Sequence, residues 1–518
     1  MTAVAIDIDE GKIVYDSSID YRQLVNFGIN NSYILPQREP GEADQPPMMY
    51  LAALETVLAG MKNQIDLSKV VVINNSGQQH GHVYLNNNAK NKFAYLQKAC
   101  SSKQNLISIF NDSFAIDRAP IWMTSNTAAQ ADFIRNFVGG KKEMIRLSGS
   151  DSPLRFTGAI IRKIGCTSPE LYRQTYKIQL ISSLIPAVLS GNTDAPWDYG
   201  NASGTSLMDY EKKQLSDKLV GAVSDSLPGG INGLYSKLPS IKSPIDKVGK
   251  VAKYYSVKYG LNPEAIVLAG SGDNPQSKVL VPEDLLSLGT SFVFMSSSNP
   301  KDRDWKGVAN SMYDGIGNPF IFGCRTNGAL VWDMIRERYG FSKKDYSAPE
   351  HALELVHPGT GPVVVWQPRV ETFPKSKQIN LTRFNSKSSS LSLDYNGVIE
   401  SSLGLLYISS TDLSSNKGKI LYVTGGASYS SQVMRRISGI WNKPVVAIKT
   451  GGAALGTAVA GAVGFSQAGH KVMNRKELLE KLMPHSAAIQ PRPEDIFAYH
   501  SQQGYLKKLE DAFQKLCN

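Results

Sequence analysis

Apolar residues follow two spacings along the chain, one suited to strands and one to helices, and the two alternate. Ala3 to Ile8 and Lys12 to Tyr15 are rich in strand formers and flank Asp9-Glu10-Gly11, which predicts a hairpin. Met48, Leu51, Leu54, Leu58, Met61 and Ile65 then recur at steps of three and four, the spacing of one helix face. A short strand over 69–73 follows and ends in Asn74-Asn75-Ser76-Gly77, an α/β unit of the kind whose ligands gather beyond strand carboxyl ends. Residues 126–138 read as a helix, and 189–207 as a long surface or cleft loop because Pro, Asn, Asp and Gly cluster there. Residues 285–295 read as two strands joined at Gly289-Thr290-Ser291, while 357–374 and 386–392 read as irregular connections. In the last third, a strand over 420–423, a turn Thr424-Gly425-Gly426-Ala427-Ser428 and a helix over 431–441 repeat the theme. Gly451 to Gly456 opens a small-residue helix, and Tyr505, Leu509, Phe513 and Leu516 share a face of the final one.

At 518 residues the chain has material for two to four domains with large cores. Its net charge of +11 comes from 56 basic and 45 acidic residues, but the basic ones are scattered or paired, as at Lys141-Lys142, Lys343-Lys344 and Lys507-Lys508. That distribution suits a solvated surface and argues against a nucleic-acid partner, which calls for a clustered stripe. The four cysteines, Cys100, Cys166, Cys324 and Cys517, lack metal-ligand spacing, which implies a reducing compartment. Neither a signal peptide nor an apolar run of membrane length is present, so the expectation is a cytoplasmic protein without a membrane partner.

Three stretches carry candidate chemistry. Ala269-Gly270-Ser271-Gly272-Asp273-Asn274-Pro275 sets an acid where a turn or helix begins; Asp273 is either a base for a bound hydroxyl or a helix N-cap. Gln78-Gln79-His80-Gly81-His82 lines up side chains that both donate and accept, as a polyhydroxylated ligand requires; the other reading is an exposed polar turn. Gly289-Thr290-Ser291 and the glycine turns near 425 and 451 could hold phosphate or admit a nucleotide. They match neither a Walker loop nor a dinucleotide fingerprint. Asp194, Asp198 and Asp209 read as loop caps rather than metal ligands, and no metal-ligating residues are assigned.

In order along the chain, Gly-Gln-Gln-His-Gly, Arg-Phe-Thr-Gly, Gly-Asp-Asn-Pro, Ser-Leu-Gly-Thr-Ser, Thr-Gly-Gly-Ala-Ser and Ala-Ala-Leu-Gly succeed one another. This series resembles the FGGY family of carbohydrate kinases, within it the xylulokinases of eukaryotic type, over nearly the whole chain. The resemblance implies two actin-like (ribonuclease H-like) α/β domains around a cleft: an N-terminal sugar-binding domain over 1–282 and a C-terminal nucleotide-binding domain over 283–518. It implies ATP and Mg²⁺, a small-molecule sugar, and a monomer or homodimer. Asp273 becomes the general base; Gln79, His80, Arg155 and Asn274 contact the sugar; Gly289 and Thr290 belong to a phosphate loop; Gly425 and Gly426 belong to the adenosine site.

Three features depart from the family pattern. Asp151 stands in the sugar site where an arginine is expected, and Ser430 in the nucleotide site where an asparagine is expected. The first strand and its Asp-x-Gly-Thr/Ser loop are expected to be missing, with Met1 entering at the second strand; Asp7 fits the hairpin better than it fits that loop. The expected activity is phosphorylation of D-xylulose to D-xylulose 5-phosphate. The alternatives are an impaired relative that binds sugar or nucleotide, or a kinase for another ketose or polyol.

Overall fold

The computed structural model describes residues 1–99, 103–342, 345, 347–384, 386, 388–415, 418–448, 451–483 and 487–517. Cys100, Lys343 and Lys344 lie outside them. The chain divides into two compact units, neither continuous in sequence. The first comprises Met1–Leu280, Ser311–Pro319 and Gly451–Leu482; the second comprises Val281–Asn310, Phe320–Thr450 and Met483–Asn518.

The first unit opens on the predicted hairpin, with Thr2–Asp7 antiparallel to Lys12–Ser18. Asp7 closes its turn by accepting from the amides of Asp9 at 3.0 Å and Glu10 at 2.8 Å, the local bonding of an Asx turn. The amphipathic run forms the helix Pro47–Lys62, with proline at its first position, where a missing N–H costs nothing. It buries Met49, Leu51, Leu54 and Leu58 against a core that also holds Phe93, Leu184 and Tyr255. Full burial of each such side chain contributes roughly 1.5–3 kcal/mol. A second core of this unit gathers Ile134, Met144, Ile161, Trp197, Tyr210 and Tyr313.

Two sequence-based expectations change here. The strand over 69–73 shortens to Val72–Ile73 because Leu67–Lys69 turns as a 3₁₀ helix capped by Asp66. The segment 189–207 is no surface loop. The helix Ile181–Ser190 runs into it, and it contains the strand Trp197–Asp198 and the helix Tyr199–Ala202, both almost entirely buried. Asp198, Asn201 and Ser203, polar residues that suggested solvent, are instead buried inside the unit, where Asp198 accepts from the Asn201 amide and Ser203 Oγ donates to the Gly200 carbonyl. The helix opened at Gly451 runs from Ala453 to Gln467, and its glycines permit close packing within this unit: Gly456 lies against the Gln276 carbonyl and Gly464 against Leu268.

In the second unit, strands pack side by side in the order Pro319–Arg325, Phe292–Ser297, Asp284–Leu288, Leu421–Thr424, Val445–Ala447. The last three run parallel. The helices Leu391–Ser410, Ser431–Trp441 and Tyr505–Cys517 cover this sheet and share its core. Leu391–Ser410 has no legible amphipathic stripe because it is buried on nearly every side. The segment 357–374, expected to be irregular, contains the strand Val363–Gln367, which pairs with Ile379–Phe384. Its unbroken Val-Val-Val run is that of a strand buried on both faces.

Candidate functional site

In the first unit, Ser271–Gly272 pairs in parallel with Ser76–Gly77, and both strands end where candidate side chains begin. Beyond Gly272 the chain enters the short helix Asp273–Lys278, whose N-cap is Gly272 without any side-chain capping bond. Asp273 is therefore the first helical residue, and the N-cap reading falls. Asn274 donates through Nδ2 to Gln79 Oε1 at 3.0 Å and through its backbone amide to Asp273 Oδ1 at 2.9 Å. Gln79 in turn donates to Met312 Sδ at 3.5 Å. Asp273, Asn274 and Gln79 thus form one hydrogen-bonded row.

His80 lies beside Gln79 but is buried, so the exposed-turn reading fails for both. Its Nδ1 hydrogen-bonds the Gly204 carbonyl at 2.8 Å, which makes Nδ1 the protonated nitrogen and leaves Nε2 an acceptor. The ring stacks on Phe156 with centroids 4.7 Å apart. Only glycine fits at 204, since a Cβ there would sit 2.6 Å from His80 Cε1. Burial, reinforced by the nearby charge of Arg155, pushes His80 down to about 3, so it is a neutral hydrogen-bonding group throughout the physiological range. Arg155 is half-buried and makes no hydrogen bond or ion pair among the described residues. Asp151 is otherwise engaged: Arg135 Nε donates to its Oδ1 at 2.6 Å, and Arg135 Nη2 to its carbonyl at 3.1 Å.

Desolvation by surrounding protein raises the Asp273 carboxyl to about 6, against the lowering effect of the Asn274 amide. The side chain nevertheless opens to solvent, which limits how far burial can act, so the upward direction is the part that bears on chemistry. A second, fully buried acid lies close by. Asp198 accepts from Ser271 Oγ at 2.5 Å and from the Asn201 amide at 2.7 Å, and burial pushes its carboxyl up to about 7. Its spacing to Asn201 is that of an N-cap, the role read from the sequence; its bond to Ser271 crosses 73 residues and had no local signal.

In the second unit, Leu288 and Thr424 are the last residues of adjacent parallel strands, and the two predicted turns follow them directly. Gly289 and Thr290 are exposed, and their carbonyls accept from the amides of Ala329 at 3.1 Å and Leu330 at 3.4 Å. Gly425 has φ +99° and lies so close to Leu288 that a Cβ would meet its carbonyl oxygen at 2.3 Å. Gly426 faces open space. Sheets of this kind bind ligands at such strand ends. Ser430 is committed elsewhere: it caps the helix Ser431–Trp441 by accepting from the Val433 amide at 3.0 Å and donates to Glu350 at 2.5 Å.

Among the described residues, no group of three His, Cys, Asp or Glu side chains could hold a metal ion, and no helix is long and apolar enough to cross a membrane. Residues 101–279 match the FGGY family of carbohydrate kinases, N-terminal domain. This segment belongs to the FGGY family. The chain is 30% identical over 340 residues to a probable D-xylulose kinase A of Aspergillus fumigatus, an alignment covering 63% of this chain and 57% of that protein. With a xylulose kinase of Mus musculus it shares 29% identity over 468 residues, covering 86% of this chain and 80% of the mouse protein. The chain thus spans little more than half the length of the fungal relatives it matches. Its fold resembles solved structures along its whole length. A gluconate kinase from Lactobacillus acidophilus gives a TM-score of 0.79 at 16% identity, covering 100% of this chain and 98% of that one. A xylulose kinase from Rhodospirillum rubrum gives 0.78 at 15%, covering 100% and 99%. The expected actin-like α/β fold is the observed one, and the FGGY segment carries His80's stacking partner Phe156, along with Arg155, Asp198 and Asp273.

Proposed function

We propose that the protein transfers the γ-phosphoryl group of ATP to a hydroxyl of a ketose, with D-xylulose giving D-xylulose 5-phosphate. The observation that carries this reading is the row Asp273–Asn274–Gln79 beside a neutral His80 at the end of paired parallel strands. A polyol needs many donors and acceptors, and this row offers them without fixed charge at His80. Asp273 takes the proton of the attacking hydroxyl as its oxygen bonds to the γ-phosphorus and ADP departs with the electrons of the broken bond. An acid raised above its usual range is a stronger base than an ordinary carboxylate once ionised.

Gly289 and Thr290 hold the phosphates, and Gly425 and Gly426 admit the adenosine, in a nucleotide-binding unit drawn from 281–310, 320–450 and 483–518; the other unit binds the sugar. The exposed turns at two adjacent strand ends support that placement. Mg²⁺ keeps several waters and is bound mainly through substrate phosphates, so it calls for few protein ligands. When bound, the ion neutralises charge developing on those phosphates. The scattered cysteines fit a cytoplasmic setting.

A second reading, sugar or nucleotide binding with little turnover, draws on Asp151 and Ser430, whose side chains are bonded internally. One assay separates the two: ATP consumption over a panel of ketoses, aldonates, pentitols and glycerol, with and without Mg²⁺. Turnover highest with D-xylulose is expected. Binding of D-xylulose without turnover would overturn the kinase reading, and preference for another polyol would reassign the substrate.

A further inference from the structure

The segment read as a loop from sequence, Trp197 to Gly204, supports the candidate sugar site from beneath. It starts as a strand paired in parallel with Ile241–Lys242, so Asp198 stands on a fixed backbone. Asp198 Oδ1 accepts two hydrogen bonds that lead in different directions. The one from the Asn201 amide at 2.7 Å closes the helix Tyr199–Ala202. Past that helix, the Gly204 carbonyl takes the Nδ1–H of His80 at 2.8 Å. The other comes from Ser271 Oγ at 2.5 Å, two residues before Asp273. Asn201 also links the branches: its Nδ2 donates to Ser182 Oγ, and its Oδ1 lies where a Cβ on Gly272 would meet it at 2.7 Å.

The geometry points to Asp198 as the positioning residue that holds His80 and Asp273 in mutual register. This inference rests on the kinase reading for its catalytic consequence, though the register itself is a property of the fold. A single buried oxygen fixes both branches, so removing it frees the sugar-reading histidine and the base together. What the role requires is an acceptor at Oδ1, and Asp198 Oδ2 has no hydrogen-bond partner among the described residues. An amide therefore preserves the function, whereas a methyl group does not. Charge is not needed.

The test compares Asp198→Ala, Asp198→Asn and Ser271→Ala in the full chain by steady-state kinetics with ATP and D-xylulose, and by amide hydrogen exchange. Asp198→Ala is expected to lower kcat by about 10- to 100-fold and to raise the sugar KM, with the ATP KM unchanged. Asp198→Asn is expected to recover most of that loss, and Ser271→Ala to lower kcat while sparing the sugar KM, because it cuts only the branch to Asp273. In exchange, Asp198→Ala is expected to speed the amides of 199–206 and 271–274 selectively. A folded Asp198→Ala with unaltered kcat and sugar KM would overturn the inference. So would an asparagine variant as impaired as the alanine, or unaltered exchange in both segments. Should Asp198→Ala fail to fold, Ser271→Ala and Asp198→Asn decide the question. Should the wild type turn over no sugar, the kinase reading fails, and exchange in the two segments still decides the register.

Discussion

Asp273 can accept a proton only when ionised, and its surroundings move that ionisation upward, to about 6. The value of kcat/KM is therefore expected to begin falling at a higher pH than the usual carboxylate range near 4 would give. Asp273→Asn should lower kcat by about 10²- to 10⁴-fold and leave nucleotide affinity intact. A pH profile of kcat/KM together with an ATP-binding titration checks both; normal turnover in the asparagine variant would return Asp273 to a purely structural role. Asp198 has a different consequence, in stability. Its folded value, about 7, lies above its ordinary 3.8, so the folded protein holds a proton that the unfolded chain releases. The stability this contributes is complete below about pH 4 and is lost as pH rises toward 7. Asp198→Asn removes that term. Urea unfolding at pH 5 and pH 7 should show the wild type losing more stability between them than the variant does.

The short helix Asp273–Lys278 depends on the small-residue helix Ala453–Gln467, which packs directly on it. Gly456 makes that approach possible. A Cβ at 456 would lie 1.9 Å from the Gln276 carbonyl oxygen, a backbone atom that cannot move without carrying the Asp273 helix with it. Gly456→Ala should therefore destabilise the first unit by about 1–3 kcal/mol, and it should lower kcat more than a surface variant of equal melting temperature. A melt paired with kinetics separates the two effects. From sequence alone this helix showed its glycines but not what they face, because contact partners 180 residues apart leave no periodic trace. Elements with one wet face were legible for the opposite reason: in Pro47–Lys62 the contrast between faces is written as spacing. It fails for Leu391–Ser410, buried all round, and for Trp197 to Gly204, where Asp, Asn and Ser are polar yet inward. Within the candidate site, residue types and their order along the chain were readable, as with Gln79, His80 and Asp273. Asp151 and Ser430 carried no sign that Arg135 and Glu350 would occupy them.

The whole molecule is two units threaded through one another in sequence, the first taking back Ser311–Pro319 and Gly451–Leu482 after the second has begun. Residues 1–280 expressed alone lack the helix that packs on Asp273–Lys278, Val72–Ile73 and Thr2–Asp7. Such a fragment is expected to bind an apolar dye and to be cleaved readily within its first 280 residues, whereas the full chain resists. A compact, protease-resistant fragment would show that the returning helix is dispensable. The same threading governs the order of events at the ribosome. At about 5–20 residues per second, roughly ten to forty seconds separate the emergence of Asp273 from that of the helix that braces it. During that interval the second unit's early strands emerge while the first still exposes an apolar seam, and the nascent chain is then most dependent on chaperones.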